Sequence, residues 1–223
     1  MPRPSTPLVR AHRKGDKYKV RELVAEGDWI LAVDPGADGI ALLFEPFCRW
    51  KVMEPPEPFA VFPFNRFGGM DFEPVDEVLR GESIGTKLLV VLEESFGGGR
   101  LNIASDLALA RYSGAVIGAL AAVVRPHAFN VAMVNATTWL SAATSRAMTA
   151  KAARAQRKAI SEAHTLKSLG GVGSVHDRFG WPGLTLAAHR EAFCDAYTMA
   201  TWWGRFHWTT QQRVSRGTGS RGG

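Results

Sequence analysis

The chain has 223 residues with 46% hydrophobic and 22% charged side chains, the proportions of an ordinary globular protein rather than a fibrous or disordered one. Two cysteines far apart, Cys48 and Cys194, and no secretory leader exclude a disulfide scaffold and point to the cytoplasm, while the longest apolar stretch, 113–124, is too short to cross a bilayer. The net charge of +6 is unevenly spread: residues 45–96 hold ten acids against five Lys/Arg, and residues 97–190 three acids against eleven, so one part of the chain is suited to a polyanion.

Residues 1–27, with three prolines and the run Arg10 to Lys14, read as a basic N-terminal extension. Trp29–Val33 is an apolar run ending at Asp34-Pro35-Gly36, a strand followed by a turn signal. Ile40–Phe44 and Cys48–Met53 read as two further strands of a meander. No regular element is expected in 54–70, which is rich in Pro, Phe and Gly, and a short helix is expected near Val75–Arg80. Lys87–Leu92 is continuously apolar, as in a strand buried on both faces. The pattern then turns helical over Leu101–Val124, gives a fifth strand at Phe129–Val134, and continues as helices over Arg146–Leu169 and Leu186–Trp203. The basic, Gly/Ser-rich stretch after residue 210 reads as a disordered tail, leaving 28–210 as one domain. The order argues for an α/β fold with a five-stranded mixed sheet flanked by helices.

Carboxylates fall where such a sheet binds ligands. Asp34 ends the first strand, although Asp-Pro-Gly is also an ordinary turn. Glu93 and Glu94 follow the apolar strand, and alternation directs one of them to the crevice and the other away. Gly97-Gly98-Gly99 lacks the Lys-Ser/Thr of a phosphate-binding loop. In the last helix the only charges between Arg190 and Arg205 are Glu191 and Asp195, four apart and on one face. Like charges on an apolar helix call for something positive between them, and oxygen ligands suit Mg²⁺; Arg from neighbouring elements is the alternative. No His or Cys shows zinc spacing. Arg146, Lys151, Arg154, Arg157 and Lys158 give the preceding helix a cationic face with Glu162 as its only acid, which suits phosphate contacts. Trp202, Trp203, Phe206 and Trp208, at the end of an apolar helix, suit core or subunit contacts.

Leu31-Ala-Val-Asp-Pro-Gly36 with Gly39, Val90-Val-Leu-Glu-Glu-Ser-Phe96, Gly114 in a Gly/Ala-rich helix, and Asp195-Ala196 together resemble the RuvC-type Holliday-junction resolvases of the ribonuclease H-like superfamily. The resemblance covers about residues 29–204. It implies a ribonuclease H-like fold and a structure-specific endonuclease that resolves four-way DNA junctions by paired nicks. It further implies two Mg²⁺ ions per site, for which Mn²⁺ would substitute, held by Asp34, Glu93 and Asp195. Phe96 matches an aromatic that stacks on a junction base, and the Gly/Ala-rich helix implies a homodimer. The chain departs from the family at Ala192, where an Asp or His is usual, and in lacking a basic residue over Asn135–Leu140. Helical phase favours Glu191 over His189 as the fourth ligand, because Glu191 lies roughly 40° from Asp195 and His189 about 120°. Such divergence suits a phage-encoded or other mobile-element version. Alternatives are a nuclease of this fold acting on flaps or other branched DNA, and a DNA-binding protein of the fold without catalysis.

Overall fold

A computed structural model describes residues 8–10, 28–50, 55–64, 71–82, 86–93, 103–124, 129–134, 139–140, 154–170 and 187–218. The strands are β1 (Leu8–Arg10), β2 (Trp29–Asp34), β3 (Ile40–Phe44), β4 (Ala60–Pro63), β5 (Leu88–Glu93) and β6 (Phe129–Val134), and the helices are α1 (Glu73–Arg80), α2 (Ile103–Val123), α3 (Arg154–Leu169) and α4 (Ala187–Thr218). They form one sheet in the order β1-β6-β5-β2-β3-β4. β1, β6, β5 and β2 run parallel, and β3 and β4 complete an antiparallel meander. The expected five-stranded mixed sheet is present, extended at one edge by the three-residue β1.

The central strands are legible because they are buried on both faces. In β2, Trp29, Leu31 and Val33 pack with Val75 and Leu79 of α1 and Val116 and Leu120 of α2. Ile30 and Ala32 face the other way, against Phe193, Ala196, Tyr197, Ala200 and Trp203 of α4. β5 repeats the alternation, with Leu88, Val90 and Leu92 on the α2 side and Leu89 and Val91 on the α4 side. The sheet is thus a middle layer between α1/α2 and α3/α4. Trp203 and the partly buried Trp202 belong to the α4-side core, as expected for packing residues; the side chains of Phe206 and Trp208 lie outside the described residues.

Three expectations need correction. The strand expected over Cys48–Met53 does not form in its described part, 48–50: Phe47–Arg49 form a 3-10 turn closed by the Arg49 amide donating to the Pro46 carbonyl at 2.8 Å, and residues 51–53 lie outside the described residues. Pro46 cannot supply a ladder amide, and Trp50 folds back so that its indole donates to the Glu45 carbonyl at 2.9 Å. The third meander strand is instead β4, from within the Pro/Phe-rich stretch. Last, α4 continues to Thr218, through most of the stretch expected to be a disordered tail. Among the described residues no helix is long and apolar enough to cross a membrane.

Candidate active site

Strand alternation sets the first two acids. Asp34 shares the parity of Ile30 and Ala32, and Glu93 that of Leu89 and Val91, so both belong to the α4 side of the sheet. The parallel register pairs Val33 with Leu92, which places Asp34 and Glu93 at the ends of adjacent strands. Directly after Asp34 the chain turns through Pro35–Asp38, with the Gly39 amide donating to the Gly36 carbonyl at 3.1 Å, and returns as β3. The turn is tight: a Cβ on Gly39 would stand 2.4 Å from the Asp34 carbonyl oxygen, 2.7 Å from the Gly36 nitrogen and 2.7 Å from the Phe64 ring. Gly39 is therefore a packing requirement of the Asp34 turn.

The opposite wall comes from α4. Its apolar side, with Phe193, Ala196, Tyr197 and Ala200, is committed to the sheet, which leaves Glu191 and Asp195 at the edge of that buried stripe. All four acids, Asp34, Glu93, Glu191 and Asp195, line a single open cavity of about 560 Å³. The turn 35–39, Tyr112 of α2, Trp139, Leu140 and Lys158 share its walls. His189 does not line it; its Nε2 stands 4.0 Å from the Asp38 carboxylate, beside the turn. Glu191 thus lines the cavity while His189 stands beside Asp38 of the turn.

The structure adds two residues that the sequence left unassigned to this place. Lys158, expected on a DNA-contacting face, has its ammonium in the acidic cavity as an ion-pair partner of Glu191. Its side chain is 25% exposed and that of Glu191 46%, so the pair sits at the cavity rim. One turn further along α3, the Ser161 hydroxyl donates to Oδ1 of Asp195. Ser161 is only 1% exposed. Lys158, Ser161 and Thr165 form an i, i+3, i+7 stripe on α3, facing the i, i+4, i+7 stripe of Glu191, Asp195 and Thr198 on α4. Of the other expected contacts, Phe96, Arg146 and Lys151 lie outside the described residues, as do the side chains of Arg154 and Arg157 on α3.

The cavity is lined by five carboxylates, Asp38 of the turn in addition to the four above, with no imidazole or thiolate, which in kind fits a hard divalent cation such as Mg²⁺. The acids line the cavity from both sides without crowding together: among the described residues no group of three His, Cys, Asp or Glu is close enough to hold a metal ion. The cationic charge contributed to the cavity wall is the Lys158 ammonium. Below Asp195, Cys194 is buried, and burial pushes its thiol from the usual 9.0 up to about 12.

Neither a protein-family model nor a curated protein matches the chain. Solved structures do. The yeast mitochondrial Holliday junction resolvase Ydc2 superposes with a TM-score of 0.51 at 12% identity, over 91% of this chain and 89% of that one. Thermus thermophilus RuvC gives a TM-score of 0.43 at 17% identity, over 78% of this chain and 94% of that one. The same protein in complex with a Holliday junction substrate gives 0.42 at 15% identity, over 81% and 97%. At these identities the likeness is one of fold: the α/β architecture of this chain is similar to that of Ydc2.

Proposed function

We propose that this chain is a metal-dependent endonuclease that resolves four-way DNA junctions by paired nicks and acts as a homodimer. The observation that carries the reading is the convergence of Asp34, Glu93, Glu191 and Asp195, from two adjacent strand ends and one helix, on one cavity of a resolvase-like fold. Asp34, Glu93 and Asp195 would hold the cation, with Glu191 as fourth ligand. When bound, Mg²⁺ supplies activation of water and stabilisation of charge on the phosphate being cut. Asp34 is fixed by the Gly39 turn, and the α4 acids by the packing of α4 on the sheet, so both walls of the cavity are held before substrate arrives. Lys158 pairs with Oε2 of Glu191, so a cation at that carboxylate would compete with the ammonium for the same negative charge.

The basic residues Arg146, Lys151, Arg154 and Arg157 would contact backbone phosphates and Phe96 a junction base. Two nicks related by symmetry need two sites, which a two-fold dimer supplies. The α2 face carrying Gly114, Ala115 and Gly118 is exposed in the single chain, and a Cβ at either glycine would meet nothing within 4 Å, as suits a surface for close helix approach. The test uses labelled four-way junctions, flaps and RNA–DNA hybrids with Mg²⁺ or EDTA. Asp34→Asn, Glu93→Gln and Asp195→Asn should each abolish cleavage while junction binding persists. Metal-independent cleavage, or any of the three cutting at the wild-type rate, refutes the reading; preference for flaps or hybrids refutes the junction assignment.

A further inference from the structure

The buried seam between α3 and α4 is unusually polar for a helix–helix contact that closes a core. Ser161, Thr165, Thr198 and Thr201 are each at most 4% exposed. Two of the threonine hydroxyls have main-chain acceptors on their own helix: Thr165 donates to the Ser161 carbonyl at 2.9 Å, and Thr201 has the Tyr197 and Thr198 carbonyls, each at 3.1 Å, as acceptors. Other contacts cross the seam: Thr198 of α4 approaches the Ser161 carbonyl at 3.4 Å, Thr165 approaches the Cys194 carbonyl at 3.4 Å, and the Thr201 hydroxyl stands 3.0 Å from His164 Nε2.

Ser161 differs in having a carboxylate within reach. A hydroxyl has one proton to give, and two acceptors stand within reach: the Lys158 carbonyl at 3.1 Å on its own helix, and Oδ1 of Asp195 on α4. The carboxylate is the stronger acceptor because the bond to it is charge-assisted. Its burial leaves Ser161 no water to donate to instead, and the bonds from Thr165 and Thr198 to its own carbonyl hold its backbone. A fixed donor therefore meets one oxygen of a carboxylate that lines the cavity.

We propose that Ser161 is a positioning residue for Asp195: by holding Oδ1 it sets the plane in which the carboxylate is presented to a divalent cation in the cavity. This rests on the reading of the cavity as a cation site. A carboxylate free to rotate would pay the cost of ordering each time the cation bound. Groups that orient a ligand in this way typically change metal affinity or activity by about 10–100-fold when removed.

The test is Mn²⁺ binding to the full chain without DNA, followed by titration calorimetry alongside thermal melting. Wild type should bind Mn²⁺ and Asp34→Asn and Glu93→Gln should not; if those variants bind as wild type does, the cation-site reading itself fails, and this proposal with it. If that control holds, Ser161→Ala should weaken Mn²⁺ binding by about 10–100-fold. Ser161→Thr, which keeps the donor, should stay near wild type. Thr201→Val, which disturbs the seam at a residue that bonds neither Ser161 nor Asp195, should lower the melting temperature and leave Mn²⁺ affinity unchanged. Wild-type affinity in Ser161→Ala, or equal weakening in Thr201→Val, overturns the positioning role. Should Ser161→Ala not fold, a weakened affinity in folded Ser161→Thr overturns it equally.

Discussion

Gly39→Ala tests the link between the β2–β3 turn and the site. The added methyl would lie 2.4 Å from the Asp34 carbonyl oxygen and 2.7 Å from both the Gly36 nitrogen and Phe64 Cδ2. Two of those three neighbours are backbone, so no rotamer change relieves the contact, and the third belongs to a ring in the core. Overpacking of this kind costs about 1–3 kcal/mol. Replacing Gly also removes about 0.4–1 kcal/mol of unfolded-state freedom, leaving a net loss near 1–2 kcal/mol. In a chain of this size that lowers the melting temperature by roughly 2–8 °C. Gly36→Ala is the control, because a Cβ there meets only the Gly39 nitrogen at 3.9 Å, an ordinary contact. The strand register joins Asp34 to Ile40, so relief of the clash has to move Asp34 itself. A displacement of about 1 Å at a reacting group can cost on the order of 100-fold in rate. Urea unfolding and junction cleavage on both variants check this. Equal stability and equal rate for Gly39→Ala and Gly36→Ala would refute the reasoning.

Lys158→Met should tighten Mn²⁺ binding measured without DNA, because it removes the ammonium that otherwise pairs with Glu191 and competes with the cation; weaker binding would mean that the lysine assists the cation. In thiol labelling near pH 8, Cys48, which is exposed, should react in the folded protein, and Cys194 only on unfolding. Since burial raises the Cys194 thiol from 9.0 to about 12, the fold favours the neutral form. Its contribution to stability is therefore complete below pH 9 and is lost as pH rises toward about 12, which urea midpoints between pH 8 and 11 would follow.

The strands that carry the site were the legible ones, and for a physical reason. Apart from Asn130 and the terminal Asp34 and Glu93, β2, β5 and β6 are apolar because both faces are covered, and period-two alternation then assigns Asp34 and Glu93 to one side. β4 was not legible: Ala60–Pro63 is an edge strand, partly exposed and ending in proline, within a stretch that reads as irregular. Cys48–Met53 misled because the apolar Phe47, Cys48 and Trp50 look strand-like, whereas Pro46 ends the ladder and Trp50 packs back on Phe44 and close to Gly204. On α3 a row of cations looks the same from the sequence whether it faces solvent or a cluster of acids. Lys158 could be assigned only once α3 was seen to lie along α4. Ser161 carries no mark at all in composition, and its role emerges only from its burial against Asp195.

The position of α4 in chain order has a consequence for biosynthesis. Asp34 is translated 161 residues before Asp195, and the helix that delivers Glu191 and Asp195 follows every strand of the sheet. A ribosome that stops between Glu93 and α4 releases a chain with both strand-end acids but without the wall that faces them. The same truncation removes Phe193, Tyr197 and Trp203 from the core, so the product also lacks the cover for one side of its sheet, exposed apolar surface of the kind that makes incomplete chains prone to aggregate. On the nuclease reading, the missing helix that leaves the sheet bare also leaves the acidic cavity unbuilt.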